Sequence, residues 1–208
     1  MDSTDTPDTT AAKRHIYGQG DLDGACFLYA VVNAYVALCG KAPQFDAVCA
    51  AFAQVDHPGD FLNGIVGTTG QYDGNYALLQ DNLERVLSRL GGESFHVQRV
   101  EGPTDAESLG ALIGPQSVAV VRYQGNSALT RDMDHWVCAV AGDPQSGGTF
   151  VACSVRFQKS FCGSECRYAE TFHPQSGRWS NDLLHIGGDL KLVEGEVFCV
   201  RLKEEARR

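Results

Sequence analysis

No apolar run in this chain is long enough to cross a bilayer. The longest candidate, Ala25 to Leu38, is interrupted by Asn33 and falls short of the roughly 20 residues a spanning helix needs. Membrane insertion is therefore not expected. Basic charge is also scarce, with 17 Lys and Arg against 26 Asp and Glu for a net charge of -9. The two basic clusters, Lys13-Arg14 and Arg207-Arg208, read as solvated termini. Binding nucleic acid depends on grouped cations that displace counterions from phosphates, so that class of partner is excluded. After Met1 come Asp, Ser and Thr, without the basic and then apolar stretches of a secretory signal. The eight cysteines are accordingly expected to be free thiols in a reducing cytoplasm, or in a protein delivered into a target cell by a route without a cleaved signal. Gly18, Gly20 and Gly24 do not make a phosphate loop, because no clear strand precedes them and no Lys-Ser/Thr follows. No cofactor is expected.

What is present is enough apolar residue, 43% of 208, for one domain with a sizeable core. Residues 1-13, rich in Asp, Thr and Pro, cannot offset the entropy of being ordered and read as a flexible tail ahead of a single domain over 14-208. Ala25 to Leu38 is apolar on every side between Gly24 and Gly40, which predicts a largely buried helix with Cys26 in its first turn. A second helix is expected over about 45-55, with Phe45, Val48, Cys49 and Phe52 on one face. His57 to Gly74 reads as loop. Asn75 to Leu90 is the clearest helix, with Leu79, Leu83, Val86, Leu87 and Leu90 at helical spacing before Gly91-Gly92.

Phe95 to Val100 reads as a short strand, and Thr104 to Ile113 as a short helix with Thr104 and Glu107 in a capping-box pattern. The period then changes. Ser117 to Tyr123, His135 to Ala141 and Thr149 to Phe157 are apolar or β-branched runs between turn residues, as in neighbouring antiparallel strands. Ser160 to Ile186 reads as irregular, and Val193 to Leu202 as a final strand. Helices in the first half and a sheet in the second define an α+β domain.

Cys26 is the centre of the functional reading. A free thiol has a pKa of about 8.5, and a helix N-terminus together with an imidazolium favours the thiolate. Tyr17 to Gly24 is a polar, glycine-rich entry to an apolar helix, suited to a backbone that approaches a ligand closely. Gln19, seven residues before the cysteine, is a neutral donor able to join the Cys26 N–H in an oxyanion hole. Asp134-His135-Trp136 marks the point where a polar loop becomes a buried strand, which would hold an imidazole and leave it accessible.

The order of glutamine, cysteine at a helix start and histidine at a strand start resembles the papain-like superfamily. Gln19 to Tyr35 is similar to its nucleophile segment, and Asn33 resembles a feature of that helix in bacteriocin-leader peptidases and related bacterial effectors. Leu109 to Ile113, Pro115 to Tyr123 and His135 to Asp143 resemble the same families' later elements, so the likeness spans about half the chain. It implies a papain-like fold in which the nucleophile helix packs on a C-terminal antiparallel sheet. The implied chemistry is attack of Cys26 on an amide carbonyl, proton transfer to the leaving amine by His135, and oxyanion stabilisation by Gln19. The implied partner is a peptide or protein substrate, and the implied activity that of a peptidase or glutamine deamidase, in a bacterial effector or toxin.

The third member departs from the pattern. In these families an Asn or Asp on the next strand orients the histidine, whereas Phe150 to Val155 contains neither. Asp143, Ser154 and Gln158 are the candidates, with Asp143 favoured among the three, while a plain turn role before Pro144 is the stronger reading of Asp143 itself. A missing orienter would suit a slower enzyme, or a papain-like domain kept for binding a peptide or partner. A zinc site among Cys153, Cys162, Cys166 and His173 is a second chemical reading, although the paired C-x2-C knuckles of zinc ribbons are absent.

Overall fold

The computed structural model describes residues 25-62, 72, 74-102, 106-124, 134-141, 149-152, 170-173, 178-180 and 191-203. The expected tail over 1-13 and the Thr104 cap lie outside these. The first element, α1 (Cys26–Cys39), is buried on all sides over Cys26 to Leu28 and Ala30 to Val36, as its unbroken apolar sequence requires. Gly40 ends it in the left-handed region at φ 67°, donating its N–H to the Val36 carbonyl. A residue with a Cβ would be strained there.

The next helix, α2 (Phe45–Phe52), buries Val48 and Ala51, while Phe45 is 71% exposed and Cys49 is on the surface. The apolar face expected through Phe45 and Cys49 is therefore turned by about one residue. A short α3 (Pro58–Leu62) falls inside the segment expected to be loop. Its Phe61 is fully buried and stacks between Phe27 and Tyr72, with ring centroids at 6.0 and 5.4 Å. Packing on α1 thus supplies what the glycine-rich sequence lacks. The fourth helix, α4 (Tyr76–Leu90), is capped by the Asn75 side chain on Leu78 N–H and buries all five predicted apolar positions.

Seven strands form one antiparallel sheet: β1 (Phe95–Arg99), β2 (Ser117–Gln124), β3 (Asp134–Ala141), β4 (Thr149–Ala152), β5 (Glu170–His173), β6 (Arg178–Ser180) and β7 (Lys191–Leu202). The order is β1-β7-β2-β3-β4-β5-β6. A single-turn helix, α5 (Ala106–Gly110), precedes β2. Mixed helices and antiparallel sheet make this an α+β fold. The segment expected to be irregular supplies β5 and β6, which extend the sheet beyond β4. Because β7 pairs with both β1 and β2, it lies one strand in from the β1 edge.

Alternation along the strands divides the core in two. Val118, Val120, Trp136, Cys138, Val140, Phe198 and Val200 face α1 and α4. Ala119, Val121, Tyr123, Val137, Ala139, Leu192 and Val197 face the other way, beneath Leu109 of α5.

Candidate functional site

Cys26 is the first residue of α1, and its side chain is 2% exposed. Ala25 at the N-cap provides no side-chain hydrogen bond to the first turn of the helix. The backbone N–H groups of Trp136 and Phe27 bond towards the thiol, and the Arg122 guanidinium adds a favourable field. These effects lower the thiol pKa, but burial outweighs them and pushes it up to about 11. The resting sulfur is a neutral thiol at pH 7.

The floor of this region is aromatic. The Trp136 ring meets Phe27 edge-on at 4.9 Å and stacks with Phe198 at 6.1 Å. Beside Trp136 lies a pair that sequence reasoning missed. Arg122 Nη1 donates to both carboxylate oxygens of Glu196 at 3.1 Å, with the side chains only 10% and 3% exposed. The signal was available: Arg122 is the one charged residue in Ser117 to Tyr123, a run otherwise fit for a core strand.

His135 is the second residue of β3 and pairs with Tyr123 of β2. The two rings meet at 5.8 Å in an edge-on arrangement. Tyr123 belongs to the core on the face away from α1, and Trp136, the next residue along, belongs to the α1 side. Alternation therefore puts the His135 ring on the opposite face of the sheet from the Cys26 sulfur, although the two backbones are adjacent. The expected dyad is assembled as neighbouring chain segments, with the two side chains held apart. Burial alone pushes the His135 pKa down to about 4.

That burial has a consequence for stability. Unfolded chain takes up a proton on His135 near its ordinary 6.5, whereas the folded protein refuses it until about 4. Stability contributed by the neutral ring is therefore complete above pH 6.5 and falls as pH drops through this window, by about 3 kcal/mol at pH 4. Urea unfolding at pH 7.5 and pH 4 should show this loss, and His135→Gln should abolish it. An equal pH dependence in the variant would refute the assignment.

Gln19 and Asp143 lie outside the described residues, as do Ser154, Gln158, Cys153, Cys162 and Cys166. His173 is in β5. Among the described residues no group of His, Cys, Asp and Glu is arranged to hold a metal ion, and no helix is long and apolar enough to cross a membrane. No family model and no curated protein matches the chain.

Proposed function

We propose that the chain is a papain-like cysteine hydrolase that cleaves an amide bond, as a peptidase or glutamine deamidase, with Cys26 as nucleophile and His135 as proton carrier. The observation that carries this reading is the seat of Cys26, which begins a long buried helix with its sulfur against the amides of Phe27 and Trp136. Such donors suit an anion at this point, whether the thiolate or the oxyanion formed when it attacks a carbonyl. In the reaction, the Cys26 thiol gives its proton to the His135 imidazole as the sulfur bonds to the carbonyl carbon, and the C–N bond then breaks as the resulting imidazolium gives that proton to the leaving amine. The thioester then takes up water. His135 must first leave Tyr123 and turn towards α1.

A second reading, a papain-like domain that binds a peptide or protein without turnover, is favoured by the His135 ring lying on the far face of the sheet. Alkylation separates the two. Under the first reading, the turn of His135 towards α1 activates the otherwise buried and neutral thiol, so Cys26 reacts faster than the other cysteines near neutral pH. Incubation with a proteome then yields new termini or Gln-to-Glu mass changes that disappear with Cys26→Ala. Equal labelling of all accessible thiols, with no product, would reject the enzyme and leave the binding domain.

A further inference from the structure

Strand β1 is one edge of the sheet, with β7 as its single partner among the described strands. Two backbone bonds fix which way its peptide groups point. Val100 N–H donates to the Val197 carbonyl and Lys203 N–H to the Ser94 carbonyl, at 2.9 Å each. In an antiparallel ladder every second residue bonds the neighbour, so His96 and Gln98 face β7 while Phe95, Val97 and Arg99 turn their N–H and C=O groups outward. Among the described residues these outward groups meet one partner, the Gln80 side chain, which donates to the Val97 carbonyl at 3.3 Å. Folds commonly blunt such an edge with proline, lysine or a bulge. Phe95 to Arg99 contains neither residue and pairs with β7 without a register shift. Arg99 itself lies over the Tyr76 ring at 4.0 Å and donates to the Gly195 carbonyl of β7 at 2.8 Å, so its charge is drawn back from the edge. Gly195 makes room for it, with a φ of 77° and no Cβ to come within 2.6 Å of the guanidinium.

Helix α4 runs beside this edge and builds a groove with it. The groove, of about 410 Å3, lies between Asp81, Glu84, Arg85 and Ser88 of α4 and Ser94 and Phe95 at the start of β1. Arg85 is bonded to Asp56, and Glu93 in the same wall to Lys41, whereas Asp81 and Glu84 make no ion pair among the described residues. Gln80 donates to Glu84 at 3.1 Å as well as to Val97, which sets the Glu84 carboxylate beside the open edge. Lys203 stands at the end of the groove, where its backbone bonds Ser94. We propose that the β1 edge and this groove dock an extended peptide, which adds as a further strand and lays a Lys or Arg beside Asp81 and Glu84. Backbone bonds to Phe95, Val97 and Arg99 supply the attachment, and the side chain on the α4 side supplies the selectivity. Phe95 shows which side that is, because its ring packs towards Tyr35 at 6.0 Å on the α1 and α4 face. The peptide residue opposite Phe95 therefore sends its side chain over α4. A second copy of the chain fits less well. The two-fold register that pairs all three residues is centred on Val97 and would set Glu101 of one copy against Glu93 of the other. Two strands, β7 and β2, separate this edge from β3 and the Cys26 region, so the proposal holds whether or not the chain turns over an amide.

The test titrates 15N-labelled protein with peptides of about ten residues that alternate Thr and Val, carrying Lys, Glu or Ala at the central Val positions. The Lys peptide should shift the amides of Phe95, Val97 and Arg99, slow their exchange with solvent, and bind about tenfold more tightly than the Glu peptide at low salt. Methylating the peptide's backbone nitrogens on the pairing edge should abolish binding, since it removes the donors without changing a side chain. The double variant Asp81→Lys with Glu84→Lys, at two exposed positions, should reverse the preference so that the Glu peptide binds better. Equal affinity for the Lys and Glu peptides, protection of other strands in place of β1, or no binding at all overturns the proposal. Protection of the three amides that grows with protein concentration in the absence of peptide would make a second copy the occupant and would overturn it too.

Discussion

Trp136→Ala should destabilise the fold by about 4 kcal/mol, the range found when a large aromatic is deleted from a packed core. Trp136 is fully buried between Phe27 and Phe198, and its neighbours are clamped by other elements, so the cavity has little room to collapse. Phe27 is fixed by α1 and by its stack on Phe61, and Phe198 by the two ladders of β7. The loss should appear as a lower urea midpoint with an unchanged slope. Trp136→Phe keeps most of the apolar contact and should retain more than half of the stability. A loss below about 1 kcal/mol for the alanine variant would mean that the ring is not the keystone between α1 and the sheet.

Arg122→Met alone should cost about 3 to 5 kcal/mol, because it removes the guanidinium that donates to both oxygens of the buried Glu196 carboxylate. The double change of Arg122→Met and Glu196→Leu should recover most of this, since both buried charges of the pair are then replaced by apolar side chains. Equilibrium unfolding of both proteins and of each single variant closes a double-mutant cycle. Additive costs would show that the two groups do not act as a pair.

Local pattern made the helices legible. The leucines of α4 and the solid apolar run of α1 announce themselves through periodicity and hydrophobicity, and both helices stand where their sequences put them. Strands β2 and β3 were also visible to within a residue. Short elements were not. Glu170–His173 and Arg178–Ser180 have little pattern of their own and become strands by extending the sheet from β4. α3 likewise forms where Phe61 fills the core beside Phe27.

The candidate site was legible in its parts more than in its arrangement. Cys26 at a helix start followed from the glycine before an apolar run. The face taken by His135 did not follow, because Trp136-Val137-Cys138-Ala139-Val140 is apolar on both sides and gives no alternation to read. Only the pairing of His135 with Tyr123 and the two separate cores reveal it. Arg122 and Glu196 are 74 positions apart and meet because the last strand in sequence inserts between β1 and β2.

That crossing governs how the chain can be made. Until Lys191–Leu202 has left the ribosome, β1 and β2 have no partner between them, and the apolar rows of Val97, Val118 and Val120 stay open. The helices and the β2–β3 hairpin, built from contacts close in sequence, are available early, but the Arg122 guanidinium must wait for Glu196. Synthesis therefore passes through an interval in which a sticky half-sheet waits for β7. A stop codon before residue 191 would release that species as an aggregate-prone fragment, so even a short truncation should fail in the cell where an internal point substitution survives.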